Sequence, residues 1–165
     1  MAKKSKQHAH GATPATTALV EAGITFTLHP YEHQDGTTNF GEEAARALGV
    51  DETQIFKTLV ADVGGKLVVA VIPVAQQLDL KALATAFDAK KATLADPTHA
   101  ARSTGYVVGG ISPIGQRSAL PTVLDASADD FETVFVSAGR RGLQVELDPA
   151  DLRSVTGARS VSVAH

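Results

Sequence analysis

Alternating apolar and polar positions predict most of the strands of this chain. Residues 24–29 alternate in this way, which is typical of a half-buried strand. Two apolar runs, residues 55–61 and 66–74, flank a pair of glycines and therefore predict a hairpin. The second run is apolar on both faces, which indicates a central strand. Residues 133–136 and 143–147 predict a second hairpin around a Gly-Arg-Arg-Gly turn.

Polar caps and glycines mark the ends of the helices. A Thr-Pro or Asp-Pro pair begins three of them, and a glycine follows four of them. The predicted helices cover about residues 14–22, 41–48, 80–87, 97–104 and 149–156. Further strands are predicted at residues 122–125 and 159–163. Because the strands come mostly as hairpins with helices between them, the pattern favours a mixed α+β domain with a largely antiparallel sheet.

Length and composition indicate one domain with a basic tail. The chain has 165 residues, which suits a single domain that we place at residues 13–165. Residues 1–12 are polar and basic, lack the apolar core of a secretory signal, and are predicted to form a disordered arm. The longest apolar stretch, residues 67–75, is too short to cross a membrane as a helix. The sequence therefore predicts a soluble cytoplasmic protein without a membrane partner.

The charge and the cysteine count exclude several kinds of chemistry. The 15 basic and 18 acidic residues give a net charge of −3, so no overall positive field attracts nucleic acid, and DNA is not an expected partner. The absence of cysteine excludes disulfides, zinc–cysteine sites and a cysteine nucleophile. The histidines have no further ligand at metal spacing, and no Walker-type or Gly-x-Gly-x-x-Gly loop is present. We expect neither a metal nor a bound cofactor.

A glycine-rich run at residues 102–115 is the most informative stretch. It contains four glycines but no strong nucleophile, so its chemistry lies in the backbone. Such a loop can hold a carbonyl oxygen or a phosphate with its N–H groups. The alternative is a bulge and a turn at a sheet edge. Ser112 is rejected as a nucleophile, because the Gly-x-Ser-x-Gly spacing is missing and Pro113 removes the N–H that follows it.

Lys57 is the other candidate, because it lies within an apolar strand. A lysine there must reach water, form an ion pair or face a ligand. In a cleft, its ammonium group suits a phosphate or a carbonyl oxygen. Arg140 and Arg141 leave a similar choice open. With Lys90 and Lys91 they can contact a nucleic-acid backbone, or they are solvated charges of a hairpin turn.

Short motifs follow one another in an order that is specific when taken together. The motifs are Tyr31-Glu32-His33, Thr38-Asn39-Phe40-Gly41, Phe56-Lys57-Thr58-Leu59, Pro73-Val74-Ala75, Gln77-Leu78-Asp79-Leu80, Ala95-Asp96-Pro97, Arg102 through Gly115, Leu120-Pro121-Thr122, Val136-Ser137 and Arg141-Gly142-Leu143. Over roughly residues 13–163 the chain thus resembles the YbaK family of free-standing aminoacyl-tRNA deacylases. These proteins are related to the editing domain inserted in bacterial prolyl-tRNA synthetases.

The resemblance implies a fold and a set of site residues. The fold is a curved, largely antiparallel, barrel-like sheet with short helices around it and the active cleft against it. Lys57 aligns with the essential lysine of the family, Gly109 aligns with a glycine whose backbone approaches the substrate, and Gly110 belongs to the same loop, so these three are expected to be catalytic. The residues expected to bind substrate are Tyr31, Thr58, Ile111 and Ser112. Gln144 stands where close relatives carry an acidic residue, so it is left out of the catalytic set.

The resemblance also implies an activity, and it is strongest to the branch that acts on cysteinyl-tRNA. That activity is trans-editing of Cys-tRNA(Pro), and possibly Cys-tRNA(Cys) as well, in which the substrate's own thiol attacks its ester carbonyl. The implied partners are the acceptor end of aminoacyl-tRNA and prolyl-tRNA synthetase, without a cofactor. Two alternatives stay open. The protein edits Ala-tRNA(Pro) with water or a tRNA hydroxyl as the attacking group, or it binds aminoacyl-tRNA or a synthetase without catalysis.

Overall fold

Two β-sheets carry the architecture of the protein in the computed structural model, which describes residues 12–165. The strands, in chain order, are β1 Thr27–Pro30, β2 Phe56–Val63, β3 Lys66–Pro73, β4 Ala92–Leu94, β5 Thr122–Asp125, β6 Val134–Arg140, β7 Leu143–Leu147 and β8 Arg159–Val161. One sheet has the order β1-β7-β6 and the other the order β4-β2-β3-β5-β8. Only the β3–β5 and β5–β8 pairings of these described sheets are parallel. The predicted α+β class and the largely antiparallel sheet are therefore confirmed.

The helices begin and end at the caps that the sequence predicts. They are α1 Pro14–Glu21, α2 Phe40–Leu48, α3 Leu80–Ala86, α4 Pro97–Thr104 and α5 Pro149–Thr156. An aspartate before each of α3, α4 and α5 accepts an N–H of the first helical turn through its side chain. A glycine in the left-handed conformation ends each of α2, α4 and α5. The sequence pattern does not predict β4 or the 3₁₀-helix Ala126–Asp130, because neither has a clear alternation or cap.

The two sheets meet at one bridge within the described chain. Ile55, just before β2, pairs in parallel with Phe135 of β6. The Phe135 N–H also donates to the Gln54 carbonyl oxygen over 3.1 Å. The strands beyond this point pair within their own sheets. The described strands therefore form no closed barrel, which corrects the barrel-like core that the resemblance implies.

The main hydrophobic core joins the inner faces of the two sheets. Val136 and Val145 enter it from the three-stranded sheet, and Val69 and Leu124 enter it from the five-stranded sheet. β3 is confirmed as a central strand, because its last six residues are buried. Successive side chains of a strand point to opposite faces. The residues of β6 and β7 that alternate with these core residues therefore lie on the opposite face of the three-stranded sheet.

A buried carboxylate fixes the C-terminal segment to the five-stranded sheet. Asp125, at the end of β5, is 5% exposed. Its Oδ1 accepts hydrogen bonds from the backbone N–H groups of Val163 and Ala164, over 2.9 and 3.1 Å. Its Oδ2 accepts from the N–H and the hydroxyl of Ser127. A buried carboxylate is stable only with such partners, so β5 and the last residues of the chain depend on each other.

Two sequence predictions concern the ends of the chain and the membrane. The arm predicted at residues 1–12 lies outside the described residues except for residue 12. The extent of the domain, residues 13–165, stays a prediction. Within the described residues, no helix has both the length and the apolar character that crossing a bilayer requires.

At pH values below about 4.5, the free energy of unfolding is expected to decrease because of Glu146. Burial raises the pKa of Glu146. Hydrogen bonds from Thr133 and His29 and the nearby charge of His29 lower the pKa by a larger amount, so the net pKa lies below the ordinary value of 4.5. A lowered pKa in the folded state stabilises the protein above the ordinary value, and this contribution is lost as the pH falls through the folded pKa. Urea unfolding between about pH 3 and 7 should therefore show less acid sensitivity in Glu146→Gln than in the wild type.

Glu132→Gln is the control for this measurement. Glu132 is an exposed carboxylate in the segment before β6. We expect this variant to keep the acid sensitivity of the wild type. An equal flattening of the pH dependence in both variants, or in neither, would contradict the role given to Glu146.

Candidate active site

A cleft of about 400 Å³ lies where the start of β2, the start of α2 and the glycine-rich run converge. The bridge between Ile55 and Phe135 sets the register at its base. Continuing that parallel register by two residues brings Lys57 level with Ser137, and Ser137 is paired with Gln144 across β6 and β7. All three of these residues line the cleft. The junction of the two sheets thus positions a cation opposite two polar side chains.

The open edge of β2 explains why two consecutive side chains reach the cleft. β4 pairs with β2 at residues 61–63, and among the described strands none forms a ladder with the first half of β2 on that side. Lys57 and Thr58 both line the cleft there. Thr58 Oγ1 is buried without a hydrogen-bond partner in the described structure, and so is the Oε1 atom of Gln144. Within the described structure, the cleft wall thus includes two residues with a side-chain oxygen that has no hydrogen-bond partner.

The glycine-rich run contributes a tight turn to the rim of the cleft. The Gly110 N–H donates to the Val107 carbonyl oxygen over 2.9 Å. Gly109 has a φ of +87° at the third position of this turn, which is the pattern of a type II turn. Val108, Gly109 and Ile111 line the cleft. At Gly109, the backbone that the sequence predicts to be exposed to a ligand is part of a type II turn beside the cleft.

Glycine is required at both positions of the Gly109–Gly110 pair, for different reasons. A Cβ on Gly109 would lie 2.7 Å from the ring of Phe40, at the start of α2. A Cβ on Gly110 would lie 2.8 Å from the backbone of Arg140, in the β6–β7 hairpin. The Gly110 N–H is already engaged in the turn. Gly110 therefore packs the loop against the hairpin, and Gly109 is the residue of the pair that lines the cleft.

Two of the expected substrate-binding residues do not line the cleft. Ser112 is fully buried, and its Oγ accepts a hydrogen bond from the Ile114 N–H over 3.2 Å. The Tyr31 N–H donates to the Gly142 carbonyl oxygen over 2.9 Å. Burial raises the pKa of the Tyr31 hydroxyl more than its hydrogen bonds with Gly142 and Gln144 lower it. Tyr31 thus contacts Gln144 but does not line the cleft. The expected site residues that do line the cleft are Lys57, Thr58, Gly109 and Ile111.

Sequence reasoning omits two residues that the fold brings to the cleft. Gln144 enters it because it is paired with Ser137, and Phe40 enters it because α2 begins there. The alternation of β7 was the available signal for Gln144, since its neighbours in sequence are both apolar. Lys90 and Lys91 lie beside Asp62, at the opposite end of β2 from Lys57. They do not form one cluster with the arginines of the β6–β7 turn.

Within residues 12–165, no group of three histidine, aspartate or glutamate side chains is arranged to hold a metal ion. The polar groups that line the cleft include the side chains of Lys57, Thr58 and Gln144 and the backbone of Gly109. A family model for the aminoacyl-tRNA editing domain matches residues 35–155. The chain belongs to this family.

Relatives of this editing domain extend over most of its length. A protein of Enterococcus faecalis, named as a predicted Cys-tRNA(Pro)/Cys-tRNA(Cys) deacylase, EbsC, is 44% identical over 124 residues, which are 74% of this chain and 75% of the relative. A solved structure of a hypothetical protein, APE2540, is 27% identical, with a TM-score of 0.83, and the match covers 93% of this chain and 100% of the other. The resemblance found in the sequence is therefore confirmed.

A second solved structure shares the fold of the editing domain. It is described as a predicted trans-editing enzyme for prolyl-tRNA synthetase. It is 24% identical, has a TM-score of 0.81, and covers 92% of this chain and 95% of its own. The fold that the structure gives to this chain is thus the fold of known editing domains.

Gly109→Ala is expected to destabilise the protein more than Gly65→Ala. The two glycines have φ angles of +87° and +89°, so each alanine carries the strain of a left-handed residue, about 1–2 kcal/mol. The new Cβ at Gly109 would also meet the Phe40 ring, which adds about 1–3 kcal/mol, whereas nothing lies within 4 Å of one at Gly65. Urea unfolding measures both losses. Equal losses would contradict the close packing of Phe40 on the turn.

Proposed function

We propose that this editing domain removes cysteine from Cys-tRNA(Pro) in trans. The first support is the name of its relative in Enterococcus faecalis, which gives Cys-tRNA(Pro)/Cys-tRNA(Cys) deacylase. The second is the shared fold of the solved structure described as a trans-editing enzyme for prolyl-tRNA synthetase. Such an activity belongs where tRNA is aminoacylated, so we place its action in the cytoplasm.

One observation carries the proposal: Thr58 Oγ1 and Gln144 Oε1 have no hydrogen-bond partner in the described structure. A buried polar atom without a partner costs about 1–3 kcal/mol, and a bound ligand or an ordered water can supply the missing donor. The α-ammonium group of an aminoacyl ester carries three N–H donors. We assign this group to the two oxygens. The cleft volume of about 400 Å³ suits a small aminoacyl group.

Lys57 serves the opposite side of the substrate. Its positive charge repels the α-ammonium group and attracts an oxygen of the ester carbonyl or of the terminal phosphate. It lies beside Thr58 on the open edge of β2. The substrate is therefore held at two ends, with its ester between Lys57 and the two unsatisfied oxygens. This orientation leaves the aminoacyl side chain close to its own carbonyl carbon.

The reaction that suits this arrangement uses the substrate's thiol as the nucleophile. The chain has no cysteine, and Ser112 is fully buried and hydrogen-bonded to Ile114. A bond forms between the thiol sulfur and the carbonyl carbon, and the ester bond to the ribose oxygen breaks. The thiol proton goes to that oxygen, so the tRNA hydroxyl is restored and a cyclic thioester of cysteine leaves. Water then opens the thioester to cysteine. The intramolecular attack benefits from a high effective molarity.

The Gly109 amide is the proposed donor to the negative charge that develops on the carbonyl oxygen. Gly109 lines the cleft, and the type II turn keeps its N–H out of the hydrogen bond made by Gly110. Backbone donors held in place before the reaction stabilise such an oxyanion without reorganisation. Prolyl-tRNA synthetase is the proposed partner that presents the tRNA, because a net charge of −3 gives this protein little attraction of its own for nucleic acid.

The kcat/KM of Lys57→Ala for Cys-tRNA(Pro) is expected to be about 10- to 100-fold lower than that of the wild type. This decrease corresponds to the loss of one hydrogen bond to a charged group, which contributes about 1.5–3 kcal/mol. The assay measures release of the amino acid from Cys-tRNA(Pro) and Ala-tRNA(Pro), with and without added prolyl-tRNA synthetase. Lys66→Ala is the control, because it removes the same charge at an exposed residue at the start of β3. We expect the control to match the wild type.

Four results would count against parts of this proposal. Equal activity of Lys57→Ala and Lys66→Ala would remove Lys57 from the site. Preference for the alanine ester would exclude the thiol mechanism and require water or a tRNA hydroxyl as the attacking group. Hydrolysis of neither ester by the folded wild type, with synthetase present, would leave a role in binding alone. A rate that does not change when synthetase is added would contradict its role as presenter of the tRNA.

Thr58→Val is expected to raise KM for the cysteinyl ester about 10-fold without loss of stability. The valine keeps the shape of threonine, and it removes an oxygen that has no partner in the free protein. Thr104→Val is the control, because the Thr104 hydroxyl donates to the Ala100 carbonyl oxygen over 2.8 Å and accepts from the Tyr106 N–H. We expect this control to lower the free energy of unfolding. Destabilisation of both variants to the same extent would contradict the unsatisfied state of Thr58.

A further inference from the structure

The peptide between Val108 and Gly109 can take two orientations. Type I and type II turns differ mainly in the rotation of their central peptide, by roughly 150–180°. The φ of +87° at Gly109 makes this turn type II. Glycine adopts positive and negative φ about equally, so Gly109 alone does not fix the orientation. Another group has to hold the peptide in the observed state.

Arg141 makes the contacts that distinguish these two orientations. Its Nε and Nη2 atoms both donate to the Val108 carbonyl oxygen, over 2.9 and 2.6 Å. Its guanidinium group also lies 4.8 Å from the centre of the Phe40 ring, and that ring packs against Gly109. Rotation of the peptide to the type I state would turn the Val108 carbonyl away and break both hydrogen bonds.

The same contacts decide where the Gly109 N–H points. The C=O and N–H of a trans peptide point in opposite directions. Val108 and Gly109 line the cleft, whereas Arg141 is not part of its wall. A carbonyl held by Arg141 therefore directs the Gly109 N–H away from Arg141 and towards the cleft. Among the described residues this N–H has no hydrogen-bond partner.

We propose that Arg141 is a positioning residue that holds the Val108–Gly109 peptide in the state in which the Gly109 N–H serves as the oxyanion donor. This inference rests on the proposed function. Arg141 acts through Gly109 and does not touch the substrate. Its exposed position in the hairpin turn would otherwise indicate a solvated charge or a contact with the tRNA backbone. Both of those roles would leave the peptide orientation unaffected.

A kinetic experiment separates positioning from charge. We expect Arg141→Ala to lower kcat about 10²-fold, the lower end of the cost of removing one oxyanion donor. Arg141→Lys keeps the charge but offers a single ammonium group in place of the planar fork, so its kcat should fall by less. KM and its salt dependence should change little. A role in tRNA attraction would instead raise KM in Arg141→Ala and reduce the salt dependence, with Arg141→Lys close to the wild type.

Arg159 offers a matched control far from the cleft. Its guanidinium lies 5.0 Å from the Phe87 ring, and its Nη2 donates to the Ala86 carbonyl oxygen over 2.8 Å. Arg159→Ala thus removes the same kind of contact and the same charge, and Arg159→Lys keeps the charge but loses the planar fork. We expect both to keep the wild-type kcat. A fall in kcat of equal size at Arg141 and Arg159 would overturn the positioning role.

Nuclear magnetic resonance reports on the peptide itself, whatever the activity. We expect the Val108 carbonyl ¹³C and the Gly109 amide ¹⁵N resonances to shift or broaden in Arg141→Ala, and to stay unchanged in Arg159→Ala. Unchanged resonances in Arg141→Ala would overturn the proposal even if kcat falls. If the wild type hydrolyses neither ester, the proposed function and the catalytic consequence both fail. In that case the resonances still decide whether Arg141 fixes the peptide.

Discussion

The contact between Ile55 and Phe135 is the constraint on which the rest of the structure depends. Within residues 12–165 it is the one parallel bridge between two sheets whose strands otherwise pair within their own sheet. Side chains of a strand repeat every two residues, so this bridge alone sets Lys57 level with Ser137 and Gln144. A shift of one residue would remove Lys57 from its place level with Ser137 and Gln144. The chemistry of the site is thus decided by the register of two chain segments that are 80 residues apart in sequence.

Local signals in the sequence account for most of the elements, and long-range contacts account for what is missed. The hairpins and the Asp-Pro caps are short-range features, so alternation and turn residues suffice to predict them. β4 has three residues and two exposed side chains, and it becomes a strand only because β2 has a free edge there. Lys57 and Gly109 can be singled out because a lysine in an apolar strand and a glycine pair are unusual. Long-range packing keeps Tyr31 and Ser112 out of the cleft wall, and the hydrophobic pattern of the sequence does not predict this packing.

The site combines a rigid frame with atoms that the frame does not satisfy. Phe40, Gly109 and the β6–β7 hairpin are in close contact, and Arg141 of that hairpin donates two hydrogen bonds to the Val108 carbonyl oxygen. Thr58 and Gln144, by contrast, each have a buried side-chain oxygen without a hydrogen-bond partner among residues 12–165. A protein that keeps such atoms gives up some stability in the free state, and the loss is recovered when a ligand supplies donors. In the proposed function, the substrate is recognised by the same atoms that cost the free protein stability.

The anchoring of the C-terminal segment on Asp125 bears on how the chain folds during its synthesis. The Asp125 carboxylate is buried, and two of its four hydrogen-bond donors are the N–H groups of Val163 and Ala164. While those residues are still inside the ribosome, the end of β5 faces a buried charge that lacks half of its partners. The N-terminal hairpin of β2 and β3 can form as it emerges. The five-stranded sheet, however, becomes complete only after Val163 and Ala164 have left the exit tunnel, so it forms later than this hairpin.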